Sequence, residues 1–164
     1  MSGTHNHTIT WEEFTYPPEW MKLPGLERLQ KALAAGAPRA PIAALMDIRL
    51  TGVEAGVARF DGWPGPQHVN PIGLVHGGFA ATLMDAACWT AAQTTMNPGE
   101  VPTTMDLKAN FLRPITAVSG RVVCEGRVIN RGGRMALTEA KVLDNDGALL
   151  AHATSTLMVM RPGA

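Results

Sequence analysis

The pattern of hydrophobic positions changes sharply at residue 76, where a polar loop meets a long run of apolar and small side chains. From His76 to Met96 nearly every residue belongs to this class, and the content of Ala, Leu and Met is typical of a helix. Because the run has no polar face, it predicts a helix that lies in the core. Asp85 interrupts the run, and we expect its carboxylate to be mostly buried, where a charge is costly unless it is paired or functional.

Downstream of this helix the pattern changes to an alternation of apolar and polar residues, which is typical of strands with one buried face. Turn residues around positions 114, 131–133 and 144–147 separate the alternating stretches. The predicted strands span 101–112, 120–130, 134–143 and 148–160. Consecutive strands joined by short turns form an antiparallel sheet, and the apolar helix is the element that can cover its concave face.

Upstream of the central helix the pattern predicts one short helix and one hairpin. The helix spans 24–35, and the strands of the hairpin span 44–51 and 56–60. Leucines at helical spacing define the helix, Pro24 suits its first turn, and Pro38 and Pro41 prevent it from continuing. The order of elements therefore predicts an α+β fold in which a curved antiparallel sheet wraps around one long helix.

The chain divides into an N-terminal extension at 1–40 and a domain at 41–164. Residues 1–10 show no periodicity, which predicts a disordered or adaptable arm. Although the chain is only 5% aromatic, four aromatic residues then follow within ten positions, namely Trp11, Phe14, Tyr16 and Trp20. We favour the interpretation that this segment packs over the domain or over a neighbouring subunit; the alternative is a flap over a ligand site.

Composition limits the functions that are open to the chain. Its 164 residues, 46% of them hydrophobic, suffice for one domain with a core. Fourteen basic and fourteen acidic residues cancel, so no positive field is available to attract nucleic acid. The N-terminus lacks the apolar core of a signal peptide, and no apolar run reaches transmembrane length. We therefore expect a soluble cytoplasmic protein.

The two cysteines agree with this expectation. Cys88 lies within the apolar helix and Cys124 within a valine-rich stretch, so we interpret both as buried free thiols. Free thiols are typical of a reducing compartment such as the cytoplasm. A disulfide between the two cysteines is the alternative.

The start of the central helix carries the first candidate chemistry. His76, Gly77 and Gly78 lie where the free backbone N–H groups and the positive end of the helix dipole collect, and glycines let a ligand approach closely. Such a terminus can stabilise the oxyanion of a tetrahedral intermediate. Alternatively, the two glycines form a plain turn and His76 caps the helix, the role that we favour for this histidine. In the preceding loop, Gln67 and Asn70 either hold a carbonyl or a water molecule, or make hydrogen bonds within the loop.

Asp85 is the second candidate, as a general base or a nucleophile for attack on an acyl carbon. The alternative is a helix aspartate that faces solvent. Gly77 and Asp85 are eight positions apart, or roughly 12 Å along a helix, whereas reacting groups must lie within roughly 3 to 3.5 Å of the atoms on which they act. If both residues are catalytic, each site takes Gly77 from one chain and Asp85 from another, which predicts an obligate homodimer.

Two motifs follow one another at a specific separation. The first spans 70–78 (NPIGLVHGG) and continues at 81–85 (ATLMD), and the second spans 104–114 (TMDLKANFLRP). Together they resemble the motifs of the hot-dog-fold acyl-CoA thioesterases of the phenylacetate-pathway (PaaI-like) type. The resemblance runs from about Ile42 to Met160.

The resemblance implies a fold, a reaction and a set of roles. In similar enzymes the amide corresponding to Gly77 donates to the thioester oxygen, and the loop residue corresponding to Asn70 positions substrate or water. The residue corresponding to Asp85 acts from the other subunit as base or nucleophile, and the one corresponding to Thr104 orients the water. Family members are dimers or pairs of dimers and need neither a metal nor a bound cofactor, coenzyme A being part of the substrate.

Some positions extend or depart from this pattern. Trp89 lies one helical turn beyond Asp85, where a smaller residue is expected; we interpret it as shortening or flattening the acyl pocket in favour of small or aromatic acyl groups. An unchanged chain-length preference in Trp89→Ala would contradict this idea. Arg113, Arg131 and Arg134 are candidate partners for the coenzyme A phosphates, although for the last two we slightly favour the alternative of a solvated hairpin.

Two other functions compete with hydrolysis of a small, aromatic or medium-chain acyl-CoA. A hot-dog hydratase or dehydratase acts on acyl thioesters with a histidine and a carboxylate in a different arrangement. A non-catalytic acyl-CoA-binding module keeps the fold without the reaction. The joint presence of Asn70, Asp85 and Thr104 argues for hydrolysis.

Overall fold

The computed structural model describes residues 3–161, so positions 1–2 of the predicted arm and positions 162–164 of the predicted domain lie outside the described residues. The helices are α1 (Gly25–Ala34), α2 (Pro41–Leu45) and α3 (Gly77–Gln93). The strands are β1 (Ile48–Glu54), β2 (Val57–Gly62), β3 (Val101–Phe111), β4 (Val122–Arg131), β5 (Met135–Leu143) and β6 (Leu149–Met160). Single turns of 3₁₀ helix occur at Trp20–Lys22 and Pro66–His68.

The six strands form one antiparallel sheet with the order β1-β2-β4-β5-β6-β3. Helix α3 contacts every strand, so the sheet curves around the helix. The predicted α+β architecture, a sheet wrapped around one long helix, is therefore confirmed. Strand β3 follows α3 in the sequence but pairs only with β6, which leaves its other side as an open edge of the sheet.

The core lies between the concave face of the sheet and α3. Alternate residues of β5, from Ala136 to Val142, are fully buried, as the period of two predicts. Leu83 and Ala87 of α3 are also fully buried. Strand β4 approaches the helix so closely that a Cβ atom on Gly126 would lie within 2.3 Å of the Ala87 carbonyl oxygen, so this position requires glycine.

One face of α3 is not covered by the sheet. Ala81, Thr82, Asp85 and Trp89 recur at helical spacing along this face, and all four are only partly buried. Asp85, which we expect to be mostly buried, is of intermediate exposure in a single chain, whereas Leu83 and Ala87, which face the sheet, are fully buried. The physical reason is that a single sheet covers one side of a helix, whereas the apolar composition of α3 suits cover on both sides.

The rings of the aromatic segment pack against one another and against α1, with Arg28 over Tyr16 and Lys31 over Trp20. Phe14, Tyr16 and Trp20 lie with ring centroids 5.3 to 6.4 Å apart. Nearby, the Gly25 amide donates to the Met96 carbonyl at 2.8 Å, and the Gly99 amide donates to the Met21 carbonyl at 2.8 Å. The extension is thus bound, through Met21 and Gly25, to the segment that follows the C-terminal end of α3.

Helix α2 was not expected from the sequence. Its first residue is Pro41, which we interpreted as a helix breaker, but a proline at the first helical position lacks only an N–H group that has no partner there. The two strands of the hairpin consequently begin later than predicted, at Ile48 and Val57.

Two further expectations concern the chain as a whole. Cys88 and Cys124 are both free and buried, as predicted, and burial raises the pKa of the Cys88 thiol to about 11. Within residues 3–161, every helix is too short or too polar to cross a membrane.

Candidate active site

The N-terminus of α3 presents one free amide. His76 caps the helix, because its Nδ1 atom accepts a hydrogen bond from the Gly78 amide at 2.9 Å and its carbonyl accepts one from Phe79 at 2.9 Å. The favoured capping role of His76 is thereby confirmed. Among residues 3–161, no acceptor bonds the amide of Gly77, the first residue of the helix. Gly77 therefore keeps an N–H donor at the positive end of the helix dipole.

The loop before α3 is held by Asn70. Its side-chain oxygen accepts hydrogen bonds from the backbone amides of Ile72 and Leu74 at 3.0 and 3.1 Å. The backbone N–H of Asn70 donates to the Leu74 carbonyl. The Asn70 side chain therefore stabilises the loop through hydrogen bonds to the local backbone, as asparagine commonly does in turns. The side-chain nitrogen of Asn70 has no acceptor in the described part of the chain, so it is available to donate to a substrate or a water molecule.

His68 also holds this loop in place, from the buried side. The imidazole is buried, its Nδ1 atom accepts from the Gly65 amide at 3.0 Å, and its ring lies 4.8 Å from that of Phe79. Its carbonyl accepts from the His76 amide at 2.7 Å, which ties the loop to the helix start. Burial lowers the pKa of His68 and favours the neutral ring. No feature of the sequence indicates this role, because a single histidine in a loop can serve many purposes.

Asp85 and Thr104 form the second half of the candidate site. The Thr104 hydroxyl donates to Oδ1 of Asp85 at 3.0 Å. Within the described residues Oδ2 of Asp85 has no hydrogen-bond donor, so this oxygen is free to act on another group. The pair lies on the uncovered face of α3, and a β-bulge between Thr104 and Asp106 locally bends the edge strand.

Helix α3 and strand β3 run in opposite directions along a shared groove, which we call the α3–β3 groove. Its ends and middle are marked by the pairs Gly77–Phe111, Asp85–Thr104 and Trp89–Pro102. The indole Nε1 atom of Trp89 donates to the Pro102 carbonyl at 2.8 Å, which fixes the ring beside the site as its helical spacing predicts. The groove opens on the face that the sheet leaves uncovered.

A cavity of about 370 Å³ lies at the Gly77 end of the groove. Its lining includes Asn70, His76, Gly77, Ala80, Phe111, Arg113, Ile115 and Leu150. The volume falls in the range of small-molecule sites, and the lining combines aliphatic side chains with a few polar groups. The cavity therefore joins Asn70 and Gly77, which were predicted to act together, and adds Phe111, which was not predicted.

The three arginines that were predicted to bind phosphates lie in different places. Arg113 is exposed and lines the cavity beside Gly77. Arg134 is exposed just before β5. The side chain of Arg131 is only 19% exposed, and its Nη2 atom lies 2.9 Å from the buried carboxylate of Glu100. Arg131 is thus engaged in an ion pair, and Arg113 is the arginine that accompanies the candidate site.

The two half-sites cannot meet within one chain. Helix α3 is continuous from Gly77 to Gln93, so Gly77 and Asp85 keep the helical separation of roughly 12 Å. This distance is several times the reach of a reacting group. No group of three or more His, Cys, Asp or Glu side chains in residues 3–161 is placed to hold a metal ion.

Comparison with known proteins places this geometry in context. The sequence model of the thioesterase superfamily matches residues 72–151, just under half of the chain. The matched part includes Gly77, Asp85 and Thr104. A protein from Saccharolobus solfataricus, provisionally named an esterase, is 28% identical over 71% of this chain and 81% of its own length.

Solved structures give the same picture. A phenylacetic acid degradation-related protein from Ralstonia eutropha JMP134, provisionally named a thioesterase, is 27% identical with a TM-score of 0.70, over 78% of this chain and 97% of its own. A thioesterase from Haemophilus influenzae, 20% identical with a TM-score of 0.71, shares the fold over 94% of this chain and 96% of its own. That second match extends into the N-terminal extension.

Proposed function

We propose that the chain is a member of the thioesterase superfamily, whose family model matches residues 72–151, and that it hydrolyses the thioester of an acyl-coenzyme A to the free acid and coenzyme A. The observation that carries the proposal is that α3 holds two groups that this reaction needs, both without a full set of hydrogen-bond partners in one chain. Gly77 offers a free N–H donor, and Asp85 offers a carboxylate oxygen held in place by Thr104. A donor for a developing oxyanion and a base or nucleophile for the acyl carbon are what thioester hydrolysis requires.

The Gly77 amide binds the carbonyl oxygen of the thioester. When the carbonyl carbon is attacked, negative charge develops on this oxygen, and a fixed N–H group at a helix N-terminus stabilises that charge more strongly than the neutral carbonyl. The side-chain nitrogen of Asn70, which lines the same cavity, donates a second hydrogen bond to the substrate or to the attacking water.

Asp85 supplies the attack. As a general base, its Oδ2 atom takes a proton from water, whose oxygen adds to the acyl carbon, and coenzyme A leaves as the thiol. As a nucleophile, the carboxylate itself displaces the coenzyme A thiolate, which takes a proton from water, and forms a mixed anhydride that water then cleaves to the free acid and the original carboxylate. In either route Thr104 holds Oδ1 and orients the carboxylate.

Each site requires a second copy of the chain, since one helix cannot bring Gly77 and Asp85 together. Strand β3 offers an open edge of eleven residues with exposed apolar side chains, among them Met105 at 59% and Phe111 at 56% exposure. Long apolar edges are suited to pairing with another strand. We propose that β3 and the uncovered face of α3 meet their counterparts in a symmetric dimer, which places the Asp85 of each chain near the Gly77 of the other.

The direct test is the release of free thiol from a panel of acyl-CoAs by the wild type and by Asp85→Asn. We expect wild-type turnover, and a loss of at least about 10²-fold in the variant, the usual scale for a positioned acid or base. Asp146→Asn is the matched control, because Asp146 is an exposed residue of the turn before β6. It should turn over substrate like the wild type.

The outcomes separate the competing functions. Undiminished hydrolysis by Asp85→Asn would contradict the role of Asp85 while leaving the activity in place. Tight binding of acyl-CoAs without any thiol release by the wild type would identify a non-catalytic binding module. Addition of water to an enoyl-CoA, without thiol release, would identify a hydratase.

A further inference from the structure

Phe111 lies against the backbone of Gly77. If Gly77 carried a Cβ atom, that atom would lie 3.2 to 3.4 Å from three carbons of the Phe111 ring, with Cζ the nearest. The ring is 56% exposed and lines the cavity of about 370 Å³. A large apolar side chain therefore lies beside the free Gly77 amide, and packing within the chain covers only part of its surface.

We infer that Phe111 determines substrate specificity by limiting the bulk of the acyl group at the carbon next to the thioester carbonyl. This inference rests on the proposed function, in which the carbonyl oxygen binds the Gly77 amide. With that oxygen about 2.9 Å from the amide nitrogen, the carbonyl carbon and its first substituent are the substrate atoms closest to the ring. Atoms further along the acyl chain lie beyond it.

The cavity beside Phe111 suits the acyl group better than the pantetheine arm. Val75, Ala80, Ile115 and Leu150 give it a mainly aliphatic lining. Pantetheine carries two amide groups, whose burial against these aliphatic side chains would be costly; Asn70, His76 and Arg113 form the polar part of the lining and remain for the thioester carbonyl and the coenzyme A side of it. A hydrocarbon substituent carries no such cost, so the acyl side of the thioester faces the ring.

Phe111 and Trp89 therefore control different properties of the substrate. Phe111 lies against Gly77 of its own chain, whereas the Trp89 that would share a site with this Gly77 is that of the second chain, one helical turn beyond the Asp85 proposed to act there. A residue there affects the length of the acyl group, whereas Phe111 contacts its first carbon. The expected substrates are acyl groups without a branch at that carbon.

The test compares butanoyl-CoA with 2-methylpropanoyl-CoA, which have the same number of carbons and differ only in branching next to the carbonyl. We expect the wild type to prefer the straight chain in kcat/KM. Phe111→Ala should shift the preference toward the branched substrate by about tenfold or more, the scale for one methyl group in an apolar pocket. Phe111→Leu should give an intermediate shift. Met158→Ala removes an exposed apolar side chain away from the cavity and should leave the preference unchanged.

Binding measurements keep this result separate from the proposed hydrolysis. Ketone analogues, in which a methylene group replaces the thioester sulfur, cannot be hydrolysed, and their Kd values are measured by calorimetry for the same variants. A straight-chain preference that Phe111→Ala weakens would support the inference even if no thioester were cleaved. Equal preferences in the wild type and Phe111→Ala, or no preference in the wild type, would overturn it while leaving hydrolysis in place.

Discussion

At the scale of single residues, the amide of Gly77 differs from the two that follow it because its hydrogen has no partner in the described chain. A proline at this position would remove that hydrogen and little else. Gly77 is the first residue of α3, where proline is favoured. His76 has φ −61° and ψ 139°, the extended conformation that a residue before proline adopts. The substitution Gly77→Pro should therefore remove this one backbone N–H donor while the helix is kept.

We predict that Gly77→Pro lowers kcat/KM for acyl-CoA hydrolysis by about 10²- to 10³-fold, the cost of removing one oxyanion donor. Gly77→Ala is the control, since alanine adds the same Cβ atom beside Phe111 but keeps the N–H group. Steady-state kinetics of both variants, with thermal unfolding to verify that they fold, measure the contribution of the amide. Equal losses in the two variants would show that crowding by Cβ, and not loss of the donor, is responsible.

Some of these residues are apparent from the sequence and others are not. Asp85 stands out because a carboxylate interrupts an apolar helix, and Gly77 because glycines occupy a helix start. Phe111 has no such contrast, since a phenylalanine is ordinary in a strand, and only the fold places it beside Gly77. Glu100 was also missed, because it follows a Pro-Gly turn and its partners Arg131 and Arg161 are 31 and 61 positions away.

At the scale of elements, Glu100 ties the segment between α3 and β3 to distant parts of the chain. Its carboxylate, with a side chain only 4% exposed, accepts hydrogen bonds from the Asn97 amide, Arg131 and Arg161. Its carbonyl accepts from Arg28 of α1. Burial alone would raise the pKa of Glu100. The hydrogen bonds from Asn97 and Arg161, together with the charges of Arg131 and Arg161, outweigh burial and lower the pKa.

We predict that Glu100→Gln lowers the free energy of unfolding at pH 7 by about 3 kcal/mol, because it leaves Arg131, whose side chain is only 19% exposed, without its charge partner. A carboxyl whose pKa is lowered by folding contributes stability above its ordinary pKa and loses it as the pH falls through the folded-state value. The difference between wild type and variant should therefore shrink below about pH 4.3. Denaturant unfolding at a series of pH values measures it.

Glu54→Gln is the control for this prediction. Glu54 also pairs with an arginine, but its side chain is 64% exposed, and such surface pairs contribute about 1 kcal/mol or less. A stability loss in Glu100→Gln that is as small as that of Glu54→Gln, or that does not change with pH, would contradict the role of the buried cluster.

The elements themselves were largely predictable, but their spatial order was not. Alternation places β5 and β6 within one residue of their observed limits, because each has one buried face and a glycine-containing turn before it. The position of β3 beside β6 depends on contacts between residues about fifty positions apart, which local patterns do not encode. The open edge of β3, on which the proposed dimer depends, was therefore invisible in the sequence.

At the scale of the whole molecule, the uncovered face of α3 and the open edge of β3 are two parts of one surface. Asp85 and Thr104 join them through a hydrogen bond of 3.0 Å. A second copy would satisfy the edge strand, cover the apolar face of the helix and complete both sites at once. If the proposed contact is symmetric, the two sites would be equivalent, and each would contain Gly77 from one chain and Asp85 from the other.

This arrangement predicts that two inactive variants restore activity to each other. A dimer of one Asp85→Asn chain and one Gly77→Pro chain has one site with both groups intact and one site with neither. Mixed dimers, isolated through different affinity tags on the two chains, should therefore show about half of the wild-type kcat. If each site were built within one chain, every site of the mixed dimer would carry one defect, and its activity would equal the average of the two parent variants.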